Sequence, residues 1–148
     1  MRRDYFTLEA AGVTADEPDQ PVISVAYEGP TEEFEERLQR GGGRLDGEAV
    51  DVTYRLRDPL EAETPMGVFA VSDRVTGEYV LELNAEAEPI IAVTDAAGGE
   101  AESGQYRLVI ETDDGTRLAA YDKSTLLVYD GDGELLRERS LIPSGVEI

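Results

Sequence analysis

The chain has no cysteine, no histidine and no tryptophan, and its one lysine is Lys123. Each absence removes a class of chemistry. Without cysteine there is no disulfide, thiolate zinc site or iron–sulfur cluster, and no thiol nucleophile. Without histidine there is no Ser-His-Asp triad, no imidazole metal ligand and no imidazole acid–base group working near neutrality. No stretch approaches the run of about 18 apolar residues that marks a membrane-spanning helix, so no membrane role is expected. Arg2-Arg3-Asp4-Tyr5-Phe6 superficially resembles a twin-arginine signal. Glu9, Asp16, Glu17 and Asp19 interrupt the stretch where an apolar segment must follow. The segment reads as a first strand, and a cytoplasmic location is expected.

What the chain does have is acid. Its 148 residues carry 33 Asp and Glu against 13 Lys and Arg, a formal net charge of −20. The length suits a single domain over residues 1–148, and a 41% hydrophobic content is enough to build a core. The 20 Glu and 13 Asp are interleaved with apolar residues, not gathered in a tail. So much like charge opposes the compact state at low ionic strength. At about 1 M salt the Debye length falls to about 3 Å and the repulsion is largely screened. Dispersed acid and scarce lysine (12 of the 13 cations are Arg) give the composition of a cytoplasmic protein from a halophile that keeps salt inside. A nucleic-acid mimic would concentrate its acids on one face, and the linear spread does not favour that. Direct nucleic-acid binding is not expected, since it is driven by Lys and Arg displacing counterions. Arg55 with Arg57, and Arg137 with Arg139, share faces of predicted strands and read as solvated cations offsetting nearby acids.

Period-two alternation dominates. Val50, Val52, Tyr54 and Leu56 fall on one strand face, and Tyr79, Leu81, Leu83 and then Tyr106, Leu108, Ile110 repeat the pattern. This predicts antiparallel strands with one buried face. Val22–Tyr27, Val68–Val71 and Leu126–Tyr129 are apolar on both faces and read as central strands. One short helix is predicted over Thr31–Arg40, stopped by Gly41-Gly42-Gly43. A second opens at Glu88-Pro89, with Ile90, Val93, Thr94 and Ala97 on one stripe, and stops at Gly98-Gly99. Tight turns are signalled at Thr76-Gly77, Asp114-Gly115 and Asp132-Gly133. The expected fold is α+β: a mostly antiparallel sheet system of about eight to nine strands with two short helices. Two similar strand–helix–strand–strand halves are suggested by the element order. That order is similar to one domain of the processivity sliding clamps of DNA replication, which implies at most a clamp-like accessory factor acting through protein partners. The first predicted helix carries Glu32, Glu33, Glu35 and Glu36 instead of a clamp's basic face.

Asp130, Asp132 and Glu134, in Asp130-Gly131-Asp132-Gly133-Glu134, form the string most like a metal site, since alternating carboxylates can wrap Mg²⁺ or Ca²⁺. As an EF-hand loop it fails: position six is Leu135 instead of Gly, and position twelve is Leu141 instead of Glu. Flanking apolar runs make it a hairpin turn, with the metal reading second. Lys123 and Ser124, as chain neighbours, point to opposite faces of an extended chain, so a Lys-activated Ser is not expected; the pair reads as a bend between strands. No catalytic residue and no cofactor is assigned. The apolar tail Leu141-Ile142-Pro143-Ser144-Gly145-Val146-Glu147-Ile148 departs from the acidity around it. It either packs on its own sheet or docks on a partner, in which case Leu141, Ile142, Pro143, Val146 and Ile148 make the contact.

Three stretches carry a resemblance: Met1-Arg2-Arg3-Asp4-Tyr5-Phe6-Thr7-Leu8-Glu9, Arg74-Val75-Thr76-Gly77 continuing through Tyr79-Val80-Leu81-Glu82-Leu83-Asn84, and Ser140 through Ile148. The chain resembles a family of small acidic haloarchaeal proteins known only as a domain of unknown function. The resemblance implies a haloarchaeal cytoplasmic origin and brings no activity, ligand or catalytic residue. A non-catalytic interaction or structural protein, binding a protein partner or a second copy, is the leading expectation. A Mg- or Ca-dependent carboxylate enzyme or metal binder and the clamp-like factor stand behind it.

Overall fold

The computed structural model describes residues 6–11, 21–28, 39–40, 43–44, 50–74, 76–77, 79–98, 106–112, 115, 117–123, 125–136 and 139–141. Strands β1 (Phe6–Ala11), β2 (Val22–Tyr27), β8 (Tyr106–Thr112) and β9 (Arg117–Lys123) form one four-stranded sheet in the order β1-β2-β8-β9. Strands β5 (Val50–Leu56), β6 (Met66–Asp73), β7 (Tyr79–Glu86) and β10 (Leu127–Tyr129) form a second in the order β10-β5-β6-β7. A two-stranded ribbon pairs β3 (Gln39–Arg40) with β4 (Gly43–Arg44). Helix α1 (Ala87–Gly98) follows β7 without a break and leads toward β8 in the other sheet.

Alternation decides which face each strand buries. In the first sheet, Phe6 lies opposite Tyr27, Leu8 opposite Val25, and Ile23 and Val25 lie beside Leu108 and Ile110. In the second, Val52, Val71 and Leu81 share a row, as do Tyr54, Phe69 and Leu83. Both inner faces contribute to one hydrophobic cluster, and α1 adds Ala87, Ile90 and Val93. Each fully buried Leu, Ile, Val or Phe there stabilises the fold by about 1.5–3 kcal/mol. Pro89 sits in the first turn of α1, where its missing N–H costs nothing.

Several features differ from the sequence expectations. The two sheets are separate and mixed: β2 pairs parallel to β8, and β10 parallel to β5. The strand orders do not repeat. β7, the counterpart of β2 in a duplicated chain, lies beside β6, whereas β2 lies beside β8 instead of β9. The internal repeat behind the clamp likeness is therefore missing from the sheets. Gln39 and Arg40, the last two residues of the first predicted helix, are extended ribbon. Pairing with Gly43 and Arg44 supplies the backbone partners that a helix end lacks. Thr31 to Leu38 lie outside the described residues.

Leu126–Tyr129 is at the edge of its sheet, not its centre. The second apolar face is explained by chain folded over that edge: Leu126 and Leu141 exchange backbone hydrogen bonds at 3.0 and 2.9 Å, and the Leu136 N–H donates to the Val128 carbonyl at 2.8 Å. The three turns signalled by sequence each hold their glycine at positive φ, at Gly77, Gly115 and Gly133.

Candidate functional site

The outer face of the second sheet carries the most distinctive surface among the described residues. Register places Tyr129, Arg55, Val68 and Asn84 in one row across the four strands, with Leu127, Thr53, Ala70 and Glu82 in the next. Arg55, Arg57, Tyr79, Tyr129 and Glu82 line an open groove of about 690 Å³ over a floor of Thr53, Val68 and Ala70. Gly131 and Gly133 of the following turn close one side. Arg55 Nη2 reaches the Gly131 carbonyl at 3.5 Å, a marginal contact. Both ion pairs shown lie elsewhere, Arg74–Asp51 at 2.8 Å and Arg107–Asp122 at 3.1 Å. Among the described residues neither the Arg55 nor the Arg57 guanidinium meets a carboxylate.

Sequence alternation groups Tyr79 with the buried Leu81 and Leu83, yet Tyr79 is 55% exposed. The reason is a bulge. Val71 pairs with Leu81 and Ser72 with Tyr79, so Val80 is the extra residue and turns inward. A bulge shifts side-chain parity by one, and the ring swings outward.

The carboxylate string is a hairpin turn. Asp130 Oδ1 accepts the N–H groups of Asp132 at 2.9 Å and Glu134 at 3.0 Å, and the Gly133 N–H donates to the Asp130 carbonyl at 3.0 Å. Tyr129 and Leu135 then pair antiparallel. Gly133 has φ +85°, a conformation that an L side chain rarely adopts. The Asp130 carboxylate thus organises its own loop. A smaller groove of about 380 Å³ brings Asp130 and Asp132 near Asp58 and Glu61. Asp58 Oδ2 accepts the Met66 N–H at 3.1 Å. Among the described residues no three carboxylates are grouped as metal ligands would be.

Lys123 is not a bend. It is the last residue of β9, on the inward face with Tyr121, and only 7% exposed. Its Nζ donates to the Val50 carbonyl at 2.8 Å, tying the first sheet to the second. Asp73, the other buried charged residue described, lies opposite Val50 in register. Sequence reading missed Asp73. The only available signal for Lys123 was its place in the Ala119, Tyr121, Lys123 alternation. Arg139 sits in a turn, donating its N–H to the Leu136 carbonyl at 3.1 Å, instead of on the strand predicted for it, and Arg137 lies outside the described residues. Leu141 is buried in the protein's own core, whereas Ile142, Pro143, Val146 and Ile148 lie outside the described residues.

Two of the buried tyrosines, Tyr54 and Tyr106, are fully enclosed. The Tyr54 hydroxyl donates to the Ala85 carbonyl at 2.7 Å, and the Tyr106 hydroxyl to the Thr125 carbonyl at 2.9 Å. Burial pushes both phenols above the ordinary tyrosine range, with Asp58 and Glu86 adding to the effect at Tyr54. Both therefore act as hydrogen-bond donors, not as bases or nucleophiles. Because the folded state holds these protons more tightly, the stability they contribute is intact below pH of about 10. Above that the unfolded chain ionises and stability falls. A phenolate absorbance titration should show Tyr54 and Tyr106 withheld until the fold opens. Tyr54→Phe and Tyr106→Phe variants should flatten the alkaline fall, and an unchanged slope would refute the assignment.

A family described as a family of unknown function, DUF5793, matches residues 1–148. The chain belongs to it. The match is full-length, so the groove, the turn and the Lys123 contact all fall within the family's extent. No curated protein and no solved structure matches the chain. No described helix is long and apolar enough to cross a membrane.

Proposed function

We propose that this DUF5793 member is a non-catalytic interaction module of a halophile's cytoplasm, and that its binding face is the outer face of the second sheet. The observation that carries this reading is the groove itself. In a chain of net charge −20, two guanidiniums without carboxylate partners among the described residues share one open surface with two tyrosine rings. Arg and Tyr are, with Trp, the residue types most enriched at binding hot spots, because each offers large contact area together with hydrogen bonds. The groove is open and shallow, as suits a macromolecular partner better than a buried small substrate. The missing His and Cys and the tyrosines held protonated leave carboxylates as the groups for acid–base chemistry, and among the described residues no three of them are grouped as metal ligands would be.

Affinity capture of the tagged chain at native abundance in molar KCl tests the proposal. A discrete partner, or a second copy, should elute with the wild type. It should be lost from Val68→Glu, which sets a carboxylate beside Arg55 in the same row. The same eluate from both proteins would overturn it. The habitat has its own measurement: the melting temperature should fall in dilute buffer and recover in molar KCl, as the Debye length shrinks from about 30 Å at 0.01 M to about 3 Å at 1 M. Equal melting temperatures would remove the halophile reading.

A further inference from the structure

We infer that the groove's occupant is an acidic peptide segment of a partner protein, held extended along β5, with carboxylates at alternate positions meeting Arg55 and Arg57. This rests on the groove being the binding face and adds what fills it.

Arg55 lies in β5 and Arg57 is the first residue past its end, with the extended Leu56 between them, and both line the groove. Their Cα atoms are therefore about 6.8 Å apart at about 3.4 Å per residue. An extended peptide repeats its side chains on one face at the same interval, so an acid–x–acid sequence is in register with both guanidiniums. Charge complementarity selects the acid. The row partners of Arg55 are Tyr129, Val68 and Asn84, none of them a carboxylate. The residue facing Arg57 is Met66, whose carbonyl accepts the Arg57 N–H at 2.8 Å. Glu82, the carboxylate that does line the groove, belongs to the Thr53 row.

A planar guanidinium fork grips a carboxylate bidentately, a short-range interaction that survives where long-range charge is screened. At molar salt the repulsion between a −20 chain and an acidic peptide is confined to contact distance, and the forks decide. The Tyr129 ring beside Arg55 supplies apolar area for the next residue on that face of the peptide, two positions beyond the acids. The edge of β10 is already occupied by Leu136 and Leu141, so the peptide lies on the sheet face instead of adding a strand there.

Random nine-residue peptides displayed on phage can be selected on the full chain in about 2 M KCl. The best can then be measured by fluorescence anisotropy as synthetic peptides, with Glu→Gln and Asp→Asn counterparts. The expected winners carry Asp or Glu at alternate positions and lose about tenfold or more in affinity against the Arg55→Gln/Arg57→Gln double variant, whose melting temperature stays that of the wild type. Winners without acidic residues that are still lost on Val68→Glu would overturn the acidic occupant while leaving the groove as the binding face. A concentration-dependent dimer abolished by Val68→Glu would replace the peptide with a second copy and overturn it too. Peptides that fail to distinguish wild type from Val68→Glu would remove both the occupant and the face.

Discussion

Gly67→Ala is expected to lower stability by about 3 kcal/mol, which for a chain of this size is a fall in melting temperature of about 6–12 °C. A Cβ at Gly67 would collide with the Arg55 carbonyl oxygen, and would lie 2.7 Å from Tyr54 Cζ and 2.8 Å from its hydroxyl oxygen. The cause is a cross-strand seat. Gly67 pairs with Leu56 on one side and Ala85 on the other, and the Tyr54 ring passes over it to donate its hydroxyl to the Ala85 carbonyl. One tyrosine therefore spans β5, β6 and β7, and only a residue without a side chain fits beneath it. Tyr54→Phe keeps the ring and loses the hydrogen bond, for about 1 kcal/mol. Gly67→Ala/Tyr54→Leu should recover part of the loss, because the ring contact goes while the collision with the Arg55 carbonyl remains. Urea unfolding at fixed molar KCl measures all three. A Gly67→Ala protein that unfolds at the wild-type midpoint would mean that the ring is not seated there.

That seat illustrates what sequence could and could not say about the fold. Alternation along Val50 to Leu56 correctly assigns Tyr54 to the buried face. Nothing local says that its neighbour across the sheet is Gly67, because pairing is a long-range property set by how the two inner faces close on each other. The same limit explains the mixed sheets. β2 reads as a central strand and β8 as an amphipathic one, and their parallel pairing follows only once the intervening chain has built most of the second sheet and α1. The turns were legible because Gly after Asp or Thr has a local conformational reason to be there. The edge position of β10 was not, since the chain covering it supplies the same burial that a flanking strand would.

The groove was half legible. Arg55 and Arg57 are visibly on one face in the sequence, but i, i+2 cations beside many acids suggest neutralising pairs, and the two ion pairs shown involve other arginines. Tyr79 was hidden by the bulge at Val80, a register event with no sequence marker. Tyr129 reads as core in an apolar run and is placed on the outer face by its pairing with Arg55. In the acidic turn, the most conspicuous string in the sequence, Asp130 Oδ1 accepts the backbone N–H groups of Asp132 and Glu134 and organises the hairpin that the flanking apolar runs predict.

Lys123→Met should cost about 3 kcal/mol, although methionine nearly matches the lysine stem in length and burial. The loss is electrostatic. The Val50 carbonyl loses its charged donor, and Asp73, opposite Val50, keeps its buried carboxylate as the ammonium disappears. If the two charges stabilise each other, Lys123→Met/Asp73→Asn will cost less than the sum of the single changes; strict additivity would separate them. Chemistry offers an independent reading, because this chain has one lysine. An amine-reactive reagent should label the N-terminus of the native protein and reach Lys123 only on unfolding, seen as one adduct becoming two by mass. Immediate double labelling in molar KCl would show that the contact is open. Lys123→Arg should also destabilise. A guanidinium brings five donors in a planar fork, whereas the ammonium places a compact charge against one carbonyl at the end of a slim stem. In a chain whose other cations are all arginine, this accounts for the one lysine: the inward cation must fit between two sheets.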